Sequence, residues 1–224
     1  DTLRHVHGAR LVPIGAAATS RGARRGAVFR VGGARIGVLS YLEDSLMHSV
    51  YVRSFATGIG PGCARLTAAN AVQDIRRLRR HADVVIVVPH WGRDYGDVSW
   101  TQRWMGRHLI DSGADAVVGH GAHVPQPVAV HRGRPILYGI GNYAFGTPGR
   151  ESFRHGLLAR LVVRGARLLR VELVPLLVQN RLVEVRPERL GSCEAAAMLA
   201  ELDRRSRPHG ARIAVRRGLG VLEL

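Results

Sequence analysis

Two apolar runs, each delivering a histidine at its end, constrain this chain more than any other feature. Residues 84–88 lead through Pro89 into His90-Trp91-Gly92-Arg93-Asp94-Tyr95. Ala116-Val117-Val118 lead into Gly119-His120-Gly121-Ala122-His123-Val124. Unbroken apolar runs of this kind suit strands buried on both faces, and a helix-like segment at about 99–112 separates them. Strand, helix, strand implies a right-handed crossover and a parallel pair. Both histidine groups then reach the same edge of the sheet, where open α/β sheets place their ligands.

Residues 1–8 resemble the end of a helix, and 10–14 a short strand. Residues 27–31 and 35–41 flank Gly32-Gly33 as a hairpin. Residues 42–63 are irregular and glycine-punctuated, a candidate flexible loop over the site. A helix is expected over 66–82 with Thr67 as its cap and its arginines outward, then strand 84–89, a helix capped by Ser99 and stopped at Gly113, and strand 115–119. Beyond this the expectation turns antiparallel, with strands over 126–131, 135–138, 157–163 and 168–177. A helix over 194–205 and an edge strand at 213–215 close the chain.

Composition bounds the function classes. The 224 residues can bury one sizeable core, and no apolar run approaches the ~20 residues that span a bilayer. No basic-then-apolar leader opens the chain, which leaves a cytoplasmic or an envelope-associated location. The net charge of +16 invites a polyanionic partner. Yet all 33 basic residues are arginine, and arginine codons are GC-rich. The arginines are also scattered in pairs such as Arg76-Arg77 and Arg204-Arg205. This argues against nucleic acid and for a solvated basic surface. Cys63 and Cys193 show no metal-type spacing.

Imidazole is a common ligand for Zn, Mn and Fe, and glycines beside His120 and His123 allow close backbone approach. The three histidines could close a mononuclear site with an open position, or form the distal half of a two-metal site. Asp94 could orient an imidazole or move a proton, or could be a solvated loop acid. Asn142, in Gly139-Ile140-Gly141-Asn142-Tyr143, could shape the site floor or serve a turn. Asp115 reads as structural and His108 as a core or surface residue. Trp91, Trp100 and Trp104 read as packing residues. His5, His7, His48, His81, His131, His155 and His209 show no clustering in the sequence.

At these residues the chain resembles the CapA family, the poly-γ-glutamate capsule biosynthesis proteins. The matching stretches are VVIVVPHWGRDY, LIDSGADAVVGHGAHV and GRPILYGIGNYAF, which follow that family's HWG-x-E-Y, GAD-x-V-x-G-H-x-x-H-V and Y-S-L-G-N-F in order and spacing. The weaker LVPIGAA and RIGVLSY also fit. The resemblance implies an α/β (α+β) fold, a metallophosphoesterase-like layered β-sandwich with flanking helices. It covers roughly residues 1–177, with 178–224 as a variable C-terminal extension of one domain. It makes His90, His120 and His123 ligands of a divalent metal site (Mn, Zn or Fe), usually dinuclear. Asp94 stands where the family commonly has Glu, and Gly121 replaces a histidine of the frequent GHHPH motif. The family's early Gly-Asp and Asn-Asn-His segments, which supply an aspartate ligand, an asparagine ligand and a candidate general acid, would align upstream of Asp1. The chain therefore reads as a fragment, or as a member lacking the full set.

The activity so implied is metal-activated hydrolysis of a phosphate ester or related bond, linked to capsule polymer synthesis. The substrate would be a small molecule, a polymer or a peptide. The alternatives are a metal-dependent peptide epimerase of a ribosomal peptide pathway and a non-catalytic envelope assembly or binding component.

Overall fold

The computed structural model describes residues 2–45, 47–145, 154–184 and 186–224. It is a mixed α/β fold with two large sheets and flanking helices. The principal sheet contains β1 (Ala27–Val31), β2 (Ala34–Glu43), β3 (Val84–His90), β4 (Ala116–Val118), β5 (Val128–His131) and β6 (Arg134–Leu137), in the order β1-β2-β3-β4-β6-β5. Strands β2, β3, β4 and β6 run parallel, and β1 and β5 close the two sides antiparallel. Arg65–Leu66 adds a short parallel pairing to β2.

Two helices carry the crossovers. Helix α1 (Ala68–Arg79) begins at Thr67, whose side chain accepts from the Asn70 N–H. Helix α2 (Trp100–Asp111) begins with a capping box. Ser99 accepts from the Gln102 backbone while the Gln102 side chain accepts from Ser99. Gly113, at φ 109°, lets the chain turn after α2.

Alternate residues of the strands go to opposite faces, as a period of two requires. Val85, Val87, Val117 and Ile136 join Ile75 and Leu78 of α1 and Leu109 and Ile110 of α2 in one core. Ile86, Val118 and Leu137 face a second core on the other side. That second core is capped by an antiparallel sheet of β7 (His155–Arg164), β8 (Arg167–Leu177), β9 (Ala214–Arg216) and β10 (Leu219–Glu223), ordered β7-β8-β10-β9. Helix α3 (Ser192–Ser206) adds Leu199 and Leu202 to it. Glu188–Arg189 pairs with the end of β8.

Several expectations are corrected. Residues 10–14 form no strand; Leu11 and Val12 are exposed, Pro13 offers no N–H, and the local pairing is instead Ala16–Ala17 with Gly62–Cys63. Trp100 and Trp104 do not pack in the core, being 68% and 46% exposed. The inward face of α2 is Gln102, Gly106, Leu109 and Ile110, which leaves Trp100, Trp104 and His108 in a stacked row along its outer flank. Trp91 is buried as expected, and its indole N–H donates to the Tyr138 carbonyl at 2.7 Å. β10 was not foreseen, because its glycine and short apolar run resemble a frayed terminus. Cys63 and Cys193 are free thiols. No helix among the described residues is long and apolar enough to cross a membrane.

Candidate metal centre

The carboxyl ends of β2, β3 and β4 lie side by side, and the candidate residues gather there. His90 is the last residue of β3, and the ladder continues past β4 to bring His120 beside it. The Trp91 N–H donates to the His120 carbonyl at 2.8 Å, and the His120 N–H to the Pro89 carbonyl at 3.0 Å. The two imidazoles meet edge to face with centroids 4.8 Å apart. Two imidazoles sharing one cation through ~2.0–2.1 Å bonds place their centroids roughly 5 Å apart, so this pair suits a common ion.

Glycines make the approach possible. A Cβ on Gly121 would stand 2.9 Å from His90 Cδ2 and 2.9 Å from the Trp91 carbonyl oxygen, and Gly121 adopts φ 110°. A Cβ on Gly119 would collide with the Trp91 indole nitrogen and the Tyr138 carbonyl oxygen.

The electrostatics favour neutral rings. Burial pushes His120 down to about 4, with His90 adding to the effect. Burial also lowers His90, helped by His48 and His123 and opposed by Asp94. A neutral imidazole keeps the lone pair that a metal needs.

His123 is held by a different set of partners. Its Nδ1–H donates to Asn142 Oδ1 at 2.8 Å, which leaves Nε2 as the free donor atom. Its ring lies between Tyr95 and Phe145, with centroids 5.4 and 4.7 Å away. His123 and Tyr95 both occupy the left-handed region, at φ 61° and 59°, and such conformations persist where surrounding structure enforces them. The Tyr95 N–H donates to the Ala122 carbonyl at 2.8 Å, which ties the loop after His90 to the loop holding His123. Asn142 is buried, and its Nδ2 has no hydrogen-bond partner among the described residues. An orphaned amide nitrogen beside a histidine is the kind of donor a bound oxygen ligand satisfies.

Asp94 is exposed and makes no hydrogen bond or ion pair among the described residues. It acts on His90 only through a weak, charge-favouring field. Asp115 is structural as expected, pairing with Arg79 and Arg134 and accepting the Val85 N–H at 2.8 Å. Among the described residues no three His, Cys, Asp or Glu side chains stand close enough together to hold a metal ion. The geometry therefore brings the His90 and His120 rings together and leaves His123 held by Asn142.

Two residues escaped the sequence reading. Glu43, at the end of β2, accepts the Gly92 N–H at 2.8 Å through its carboxylate. His48 lies on a π-helical turn, Met47–Tyr51, with its ring 6.4 Å from that of His90. Neither belongs to a recognisable spacing, because chain distance hides what adjacent strand ends bring together. A cavity of about 350 Å³ abuts these strand ends, lined by Glu43, Asp44, Trp91, Trp100 and Trp104 among others.

Residues 1–147 match the sequence profile of the family described as "Bacterial capsule synthesis protein PGA_cap", and the chain belongs to that family. The chain is 31% identical over 235 aligned positions to the "Probable polyglutamine synthesis accessory protein" of Mycobacterium tuberculosis strain H37Rv, covering 96% of this chain and 60% of that one. It is 43% identical over 72 positions to the "PGA biosynthesis protein CapA" of Bacillus subtilis strain 168, covering 32% and 19% of the two chains. It is 26% identical over 185 positions to the "Capsule biosynthesis protein CapA" of Bacillus anthracis, covering 80% and 44%. The chain thus spans about 60% of the length of the mycobacterial relative.

Proposed function

We propose that this chain carries part of the metal site of a metallophosphoesterase-like CapA protein, and that the site hydrolyses a phosphate ester or related bond in capsule-polymer synthesis. The observation that carries this reading is the His90–His120 pair. The two imidazole centroids stand 4.8 Å apart at the carboxyl ends of adjacent parallel strands, and burial lowers the pKa of both rings. Family membership supports the polymer context, since relatives are named for capsule, polyglutamine and PGA synthesis. The domain is read as one unit over 1–224, with residues 178–224 as its extension.

His90 and His120 would hold one divalent cation, and His123, held by Asn142, would serve a second or complete the first. Mn, Zn and Fe all accept imidazole nitrogen. Such a cation supplies Lewis acidity and a water acidified to near neutral pH. The chain's own groups do the rest. Asn142 Nδ2 offers a hydrogen bond to a phosphoryl oxygen, and the cavity beside Trp91 and Trp100 seats the apolar part of a substrate. Asp94, exposed at the rim, would receive or relay a proton.

The test is hydrolysis of bis(p-nitrophenyl) phosphate and p-nitrophenyl phosphate with added Mn(II), Zn(II) or Fe(II). We expect metal-dependent turnover that His90→Ala and His120→Ala each reduce by about a hundredfold or more. Turnover that neither substitution changes would overturn the reading.

A further inference from the structure

We propose that the outer flank of α2, with the groove between α2 and α1, is a docking surface for an acidic segment of a partner protein, one that carries apolar side chains among its carboxylates. The proposal is independent of the metal reading above.

Exposed rings are the first argument. Trp100, Trp104 and His108 recur every four residues and so share one side of α2. Trp100 and Trp104 are both exposed to solvent. Their indoles stack with centroids 6.4 Å apart at 17°, and Trp104 stacks on His108 at 5.2 Å and 4°. Each ring is held against its neighbour, so the row offers apolar area with little rotamer freedom left to lose on binding. Tryptophan and arginine are also the residues that most often dominate binding surfaces.

Charge is the second argument. Arg103 and Arg107 alternate with the rings along α2 and, together with them, line a hollow of about 520 Å³. Arg76, Arg77 and Arg80 line a second hollow of about 800 Å³, beside the short side chains of Ala68, Ala69 and Val72 of α1. His108 lines both hollows, and its Nε2 has no hydrogen-bond partner among the described residues. Arginines that are scattered in the sequence thus converge in the fold. Arg77 is committed to Asp74, and Asp111 on the first hollow is committed to His131 and Arg132. Among the described residues no ion pair engages Arg76, Arg80, Arg103 or Arg107, and all four are exposed.

The two features together select the occupant. A guanidinium pairs with a carboxylate in a two-bonded fork. Free guanidinium groups interleaved with indoles match a chain whose carboxylates are interleaved with apolar side chains. A second copy of this chain would bring the same basic flank and a net charge of +16, and would be repelled. Beyond Trp100 the neighbouring cavity is lined by Glu43 and Asp44, which confines the acidic stretch to the side of Trp104, His108 and Arg80.

The test uses the whole chain without added metal and a fluorescein-labelled synthetic peptide of Glu with Leu and Phe interspersed, followed by fluorescence anisotropy. We expect saturable binding that rising salt weakens. Arg103→Glu and Trp104→Ala should each weaken it by about tenfold or more. Both side chains are exposed, so neither change disturbs the core. Arg164→Glu on β7, across the principal sheet from α2, should leave binding unchanged. No saturable binding, equal weakening by Arg164→Glu, or wild-type affinity in the Arg103 and Trp104 variants would overturn the proposal. Equal or tighter binding of a peptide of Glu alone, of oligothymidylate or of phosphatidylglycerol vesicles would also overturn it, and would assign this flank to a different partner.

Discussion

His120 shows how a single side chain couples this edge of the sheet to pH. Its pKa in the fold, about 4, lies below its ordinary value of 6.5. Between these values the unfolded chain binds a proton that the folded chain refuses. The associated stability is complete above about pH 6.5 and is lost as pH falls through about 4, by up to about 3 kcal/mol. His90, lowered for the same main reason, acts in the same direction. Urea midpoints of metal-free protein at pH 7.5 and pH 4.5 should show the loss, and His120→Asn should flatten it. An equal slope in the variant would sink the assignment. Gly121 is the other sensitive residue. Gly121→Ala places a Cβ 2.9 Å from His90 Cδ2 at a φ that alanine rarely adopts. We expect destabilisation of about 1–3 kcal/mol and displacement of the His90 ring, read as weaker metal uptake. At this scale the sequence was partly legible. His90, His120 and His123 announced themselves by apolar runs and glycines, and Asn142 by its motif. The pairing of only two rings was not legible, since ring orientation depends on Asn142, Tyr95 and Phe145.

Among elements, α1 and α2 were legible because their caps and periodicity are local. The buried polar contacts that dock them were not. Asp74 of α1 is fully buried and accepts from Arg24 Nε at 2.9 Å and the Tyr41 hydroxyl at 3.0 Å, with Arg77 paired at 2.9 Å. Burial and the Asp74 carboxylate push the Tyr41 hydroxyl pKa upward. Asp74→Ala removes an acceptor from that hydroxyl and from two guanidinium groups. We expect a cost of about 3–5 kcal/mol in chemical denaturation, whereas a cost under ~1 kcal/mol would mean the cluster is dispensable. Ser99→Ala removes half of the α2 capping box and should cost about 1 kcal/mol. Trp100 and Trp104 depart from the packing expectation because α2 fills its inward face with Gln102, Gly106, Leu109 and Ile110, which leaves the two indoles stacked along the outer flank. The turn at Met47–Tyr51 was read as irregular, for a π-helix has no sequence signature.

For the whole molecule, the principal sheet works because its central strands serve two cores at once, Val85 and Val87 facing α1 and α2 while Ile86 faces the second sheet. That arrangement pins the register of β2, β3 and β4, and hence the heights at which His90 and His120 emerge. The unbroken apolar runs made the parallel core readable from sequence. The return of residues 219–223 into the second sheet was not, because that contact closes over a long chain separation. The measurement that bears most directly on the account is the metal content of the purified chain beside His90→Ala, His120→Ala and His123→Ala, after incubation with Zn(II), Mn(II) or Fe(II) and desalting. The account predicts a retained divalent cation in wild type, loss of it in the His90 and His120 variants and weakened retention in the third, with helix content unchanged. A wild type that retains no cation, or equal metal in all four proteins, would contradict it.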